Sequence, residues 1–228
     1  MIGIYDSGSG GLHSLCAIRK RCPSVDILYR GDLAHAPYGT KTREQLLPIL
    51  RENLSLFRAL GCHHILLACM TASSLLPLLS YEDGRGVYPI TDAVGMSALA
   101  LTKNKRVGIV STSRTMKEGK LKDYLSARGV SVSESEADLL VALAERGQTS
   151  PSDAEVRAIV QASVETHLCA GVDTLVLGCT HFPYFEEAFR YAMGEGVSLI
   201  SSAQAGALSF LKQIPKDVLK GQGHIHFI

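Results

Sequence analysis

No stretch of the 228-residue sequence holds the roughly 18 consecutive apolar residues of a membrane-spanning helix. The first residues run from the apolar Met1–Tyr5 straight into a glycine-rich turn, without the basic segment and long apolar core of a secretory leader. Excess charge of either sign is scarce too: the net charge is +1, and basic runs such as Lys103-Asn104-Lys105-Arg106 are short. That excludes the clustered positive face needed to bind a nucleic-acid backbone or an anionic membrane. Six cysteines stand at 16, 22, 62, 69, 169 and 179, yet no two form a CxxC. Thioredoxin-type redox chemistry and four-cysteine zinc sites are thereby set aside, and no His/Asp/Glu cluster has convincing metal-ligand spacing. The expectation is a cytoplasmic protein with free thiols and no metal, whose partner is neither nucleic acid nor membrane.

What is present is enough apolar material for a core, with 46% hydrophobic and 20% charged residues. Strand-like runs at Ile2–Tyr5, Asp26–Tyr29, Ile65–Ala68, Val107–Val110, Thr174–Leu177 and Ser198–Ile200 alternate with helical patterns. The helical patterns lie near 11–21, 42–60, 71–79, 93–102, 115–128, 136–147, 153–170 and 184–193. Such alternation predicts an α/β fold of parallel sheets covered by helices. Thr42 with Gln45 and Ser152 with Glu155 have capping-box spacing, marking two helix starts. Pro48 inside the first predicts a kink or a later start.

An approximate internal repeat organises these elements. Gly61-Cys-His-His-Ile-Leu-Leu-Ala-Cys69-Met-Thr71 aligns with Gly171-Val-Asp-Thr-Leu-Val-Leu-Gly-Cys179-Thr-His181, an offset of 110. Ile2–Ser7 aligns with Val107–Thr112 at an offset of 105. Two pairs at nearly one offset predict two pseudo-symmetric α/β domains, 1–92 completed by 203–228, and 93–202. Ligands of open α/β sheets bind beyond the carboxyl ends of the strands. Facing halves would then bring Cys69 and Cys179 to one cleft from opposite sides.

Each candidate has a plainer alternative. Cys69 stands where a strand passes into a helix, and amides and the helix dipole there lower a thiol pKa from about 8.5. A single cysteine at such a place is more often a small buried hydrophobe, but its match at Cys179 argues for a reactive pair. His181 is placed to activate Cys179, although Cys-x-His spacing also suits a structural histidine. Asp6-Ser7-Gly8-Ser9-Gly10-Gly11 opens a helix with donors for an anion. The position that would complete GxGxxG is His13 and no Walker lysine follows, so a carboxylate fits better than a nucleotide. Tyr38 and Gly39 lie in the turn His35–Thr40, either a simple loop or a carboxylate holder. Thr112 and Thr115 open the helix of the second half and suit a second carboxylate. His63 and His64 suit a core or rim role, and His224 and His226 are assigned none.

Taken in order, Ile4-Tyr5-Asp6-Ser7-Gly8, Pro37-Tyr38-Gly39-Thr40, Ala68-Cys69-x-Thr71-Ala72-Ser73, Val107-Gly108-Ile109 and Leu177-Gly178-Cys179-Thr180-His181-Phe182-Pro183 resemble the cofactor-independent glutamate racemases. The resemblance spans nearly the whole chain. It implies two α/β domains with the active site in the cleft between them, no cofactor, and a cytoplasmic role supplying D-glutamate for peptidoglycan. It also implies that Cys69 and Cys179 are catalytic, assisted by Asp6 and His181. Ser7, Tyr38, Gly39, Thr71 and Thr180 would touch the substrate. Met70 occupies a substrate-contact position where the family usually has asparagine, and Thr91-Asp92-Ala93-Val94 stands near its usual Glu-Pro-Gly turn. Glutamate and aspartate both stay open as substrates, and so does a homodimer.

The chemistry asks for two groups. One base would return the α-proton to the face it left, whereas two thiols across the α-carbon remove it on one side and deliver it on the other. Donors around both substrate carboxylates would stabilise carbanionic charge. Two rivals remain: acyl transfer or hydrolysis through Cys179 and His181, which leaves Cys69 without a job, and a weakly active or inactive relative that binds an acidic amino acid.

Overall fold

The apolar runs fold as parallel strands buried on both faces, as their lack of polar alternation requires. All 228 residues are described in a computed structural model. The strands are β1 (Ile2–Asp6), β2 (Ile27–Gly31), β3 (Ile65–Leu67), β4 (Val87–Pro89), β5 (Arg106–Ser111), β6 (Ser131–Glu136), β7 (Thr174–Gly178), β8 (Ser198–Ser201) and β9 (Ile225–Phe227). The helices are α1 (Leu12–Arg21), α2 (Arg43–Ala59), α3 (Met70–Leu75), α4 (Tyr81–Gly84), α5 (Thr91–Leu101), α6 (Ser113–Glu118), α7 (Lys120–Ser126), α8 (Asp138–Glu145), α9 (Ala154–Ala170), α10 (Glu186–Met193) and α11 (Ser202–Gln213).

Two parallel sheets result, a five-stranded one in the order β4-β3-β1-β2-β9 and a four-stranded one in the order β6-β5-β7-β8. Read from its other edge, the second sheet repeats the first without β9. Even the registers correspond: Gly3 stands opposite Ile65, and Gly108 opposite Leu175. These partners differ by the same 105 and 110 residues as the sequence repeat.

Local chemistry explains where helices start and stop. Thr42 and Gln45 form the expected capping box, and α2 buries Leu46, Leu50, Leu54 and Phe57 along one face. The helix runs unbroken past Pro48, contrary to the expected kink or late start. Pro48 lacks only the bond to the Glu44 carbonyl, and both residues are solvent-exposed. The cap of α9 is Asp153 rather than Ser152, because its carboxylate takes the amides of both Glu155 and Val156. One helix expected over 115–128 is two, α6 and α7, divided at Gly119 with φ +66°.

α5 and α11 join the two halves. α11 packs on α1 and α5, while α5 packs on α7, β7 and β8. One buried cluster contains Ile2 and Ile4 of β1, Val107 and Ile109 of β5, and Ala207 and Phe210 of α11. Hydrophobic packing is therefore continuous across the seam. No helix is long and apolar enough to cross a membrane.

Candidate active site

The carboxyl ends of β1, β3, β5 and β7 are followed by Ser7, Cys69, Thr112 and Cys179, and all four residues line one cavity of about 500 Å³. Tyr38, Gly39, Met70, Thr71 and His181 line it as well. Asp6, Thr115 and Thr180 lie behind this wall, each nearly or fully out of solvent. The residues singled out from the two halves thus meet at one place.

Both cavity thiols are buried, Cys69 at 5% and Cys179 at 8% exposure. Burial pushes Cys69 up to about 11, with the Asp6 carboxylate adding to the effect. The Ser7 hydroxyl, 3.5 Å from its sulfur, and the amides of Ala72 and Thr71 pull the other way and are outweighed. Cys179 is likewise held well above the ordinary thiol range, first by burial, against the His181 amide. The lowering expected from the strand-to-helix position is thus overturned: the amides are present, but desolvation of the thiolate is larger. Burial thus favours the protonated form of both thiols.

The groups around the thiols supply polarity. His181 Nδ1 lies 3.7 Å from the Cys179 sulfur, and its Nε2 lies 2.5 Å from Glu145 Oε1. Burial works against ionisation of Glu145, but hydrogen bonds from His181 and the Ser9 amide prevail and hold its carboxyl below the usual range. Asp6 accepts hydrogen bonds from the Gly8 amide and the Thr180 hydroxyl, each at 3.0 Å. Burial nonetheless raises its pKa, opposed chiefly by His181. The hydroxyls of Thr71, Thr112 and Thr115 form a closed triangle with sides of 2.9–3.1 Å. Such a triangle can turn its hydrogens toward an arriving carboxylate.

Two placements refine the sequence reading. The Tyr38 hydroxyl is taken up by Asp32 and Tyr5, each at 2.5 Å, so Tyr38 offers the cavity its ring and backbone. Met70 touches the cavity but belongs to the core with Ile90 and Val94, and its sulfur accepts from Thr91 Oγ1 at 3.8 Å. Sequence reasoning missed Asp32, Asp138 and Glu145. The last two bracket α8, which forms the cavity wall facing the first sheet's loops. Nothing in local spacing couples Glu145 to His181, 36 residues away.

The sequence profile of the Asp/Glu/hydantoin racemases matches residues 17–209. The chain belongs to the Asp/Glu/hydantoin racemase family. Among relatives in this racemase family, the glutamate racemase of Corynebacterium diphtheriae is 38% identical over 220 residues, covering 93% of this chain and 80% of its own length. The glutamate racemase of Aquifex aeolicus is 34% identical over 223 residues, covering 97% and 84%. In three dimensions, the glutamate racemase of Thermus thermophilus, solved in complex with β-chloro-D-alanine, superposes with a TM-score of 0.83. That alignment has 28% identity and covers 100% of this chain and 85% of that one.

Proposed function

We propose that this racemase interconverts L- and D-glutamate by two-base proton transfer between Cys69 and Cys179. The observation that carries the reading is a pair of buried cysteines at equivalent strand ends of two like half-structures, both lining one cavity. Membership in the family and the curated glutamate racemase relatives support glutamate as the substrate. The Thermus thermophilus relative is solved with β-chloro-D-alanine, which favours a small amino acid as the ligand here.

One cysteine takes the α-proton as a thiolate while the other, as a thiol, protonates the opposite face; the reverse direction uses the opposite protonation state. His181, held by Glu145, is the group beside Cys179 that favours its thiolate, and Asp6 orders Thr180 and the turn after β1. Thr71, Thr112 and the backbone at Ser7 and Gly39 are the donors for the two carboxylates, with Thr115 bracing the threonine pair. No cofactor enters these steps. We also assign 1–92 with 203–228 to one domain and 93–202 to the other. By resemblance to the glutamate racemases, the product D-glutamate would serve peptidoglycan synthesis in the cytoplasm, where six free cysteines are at home.

The test is incubation with L-glutamate, and separately L-aspartate, in deuterated water. Early in the reaction D-glutamate should carry α-deuterium while the remaining L-glutamate keeps hydrogen. Deuterium appearing first in the L-form would point to one base. No exchange with either amino acid, together with a trapped acyl-cysteine, would overturn the reading in favour of acyl transfer.

A further inference from the structure

Glu118 ends α6, where a carboxylate meets the negative pole of the helix, and its side chain is fully buried. Burying a charge there is costly unless it is fully paired. The pairing is complete: Arg43 Nε lies 2.9 Å from both carboxylate oxygens, an Arg43 terminal nitrogen lies 2.7 Å from one, and Arg114 lies 3.0 Å from the other. Arg43 begins α2, just after the segment Tyr38–Thr40 that lines the cavity on the side of the first sheet. Arg114 belongs to α6, whose cap Thr112 lines the cavity on the side of the second. Two more bonds cross the same gap: Arg114 Nε donates to the Lys41 carbonyl at 2.9 Å, and Ser113 Oγ to the Gly39 carbonyl at 3.3 Å.

We propose that Glu118 is a positioning residue that sets the spacing of the two cavity walls by clamping Arg43 of one half to Arg114 of the other. The inference rests on the racemase reading but concerns substrate binding rather than proton transfer. The clamp touches neither thiol. What it fixes is the separation between the backbone at Gly39 and the hydroxyl of Thr112, which we assign to the substrate's side-chain carboxylate; its charge does not change in the reaction, so these donors hold it alike in ground and transition states. Loosening such uniform binding raises KM and leaves kcat nearly untouched. A carboxylate that merely stabilised the fold would lower the melting temperature without this split.

The experiment compares Glu118→Gln, Arg43→Gln and the double variant in full-length protein, by steady-state kinetics with glutamate and by calorimetric titration with D-glutamate. Each single variant should raise KM and weaken affinity roughly tenfold, with kcat within about threefold of native. Because both break one clamp, the double variant should be no worse than the weaker-binding single variant. Arg43→Gln leaves Glu118 neutralised by Arg114, so it carries the test even where Glu118→Gln folds poorly. Native KM and affinity in the single variants, or effects that multiply in the double variant, would overturn the clamp. Loss of racemisation in the native protein would strike the parent reading instead, while the affinities for D-glutamate still judge the clamp.

Discussion

At Cys69, a serine hydroxyl and two amides favour the thiolate, yet burial and the Asp6 carboxylate outweigh them. The same contest at Cys179 ends the same way, with His181 close to the sulfur. A serine hydroxyl at either place is a far weaker acid and cannot supply the base form. Cys69→Ser and Cys179→Ser should therefore each lower kcat for glutamate by about a hundredfold to ten-thousandfold, the usual worth of a positioned acid–base group. Cys62→Ser is the contrast: Cys62 is buried with Leu54 and Phe57 and does not line the cavity, so that variant should lose stability and keep kcat. Chiral analysis of the product decides it, and native rates in both cavity variants would exclude two-base transfer. The pair of cysteines was legible in the sequence because the repeat placed them equivalently. Glu145 and Asp32 were not: Glu145 acts through His181, 36 residues away, and Asp32 through Tyr38 across a turn whose shape local spacing does not give.

Elements differ in how plainly they announce themselves. Strands β1, β3, β5 and β7 are sheet interiors buried on both faces, and their unbroken apolar runs marked them. β6 forms an edge from Ser-Val-Ser-Glu-Ser-Glu, a half-exposed polar stretch that carries no such mark, and β4 and β9 are three-residue edges. Helix α11 also escaped the sequence reading. Its pattern is diluted by Ser202, Gly206 and Ser209, small residues that suit close packing against neighbours. At Gly206 the approach is tightest, because a Cβ there would stand 2.1 Å from Ile90 Cγ2 and 2.7 Å from Ile90 Cβ. Gly206→Ala must push α11 away from the start of α5, at the seam between the two sheets. A loss of about 1–3 kcal/mol is expected, as for overpacking elsewhere in cores. Urea unfolding should show a lower midpoint at unchanged slope. A native midpoint would mean that Ile90 can move aside and that the seam is looser than its geometry implies.

For the whole molecule, buried titratable groups set the pH range over which the fold holds. His167 lies with no exposed surface beneath the second sheet, its ring nitrogens 2.6 Å from Ser133 Oγ and 2.8 Å from Ser135 Oγ, and burial lowers its pKa to about 4. The unfolded chain binds the proton near 6.5, so stability is full above that pH and is lost as pH falls through about 4. With allowance for partial screening, that limb amounts to about 2–3 kcal/mol. The alkaline limb has the opposite sign. Burial pushes Cys62 and Cys69 up to about 11, so the folded state keeps protons that the unfolded chain releases near 9. Their contribution is complete below about 9 and is lost as pH rises through 11. Denaturant unfolding from pH 4 to pH 10.5 should trace a plateau that falls at both ends. In His167→Gln the acid limb between 6.5 and 4 should flatten while the alkaline limb stays, because a glutamine amide hydrogen-bonds the two serines without titrating. If the variant kept the native acid slope, the loss would belong to other groups, and the neutral imidazole would not be what limits the fold in acid.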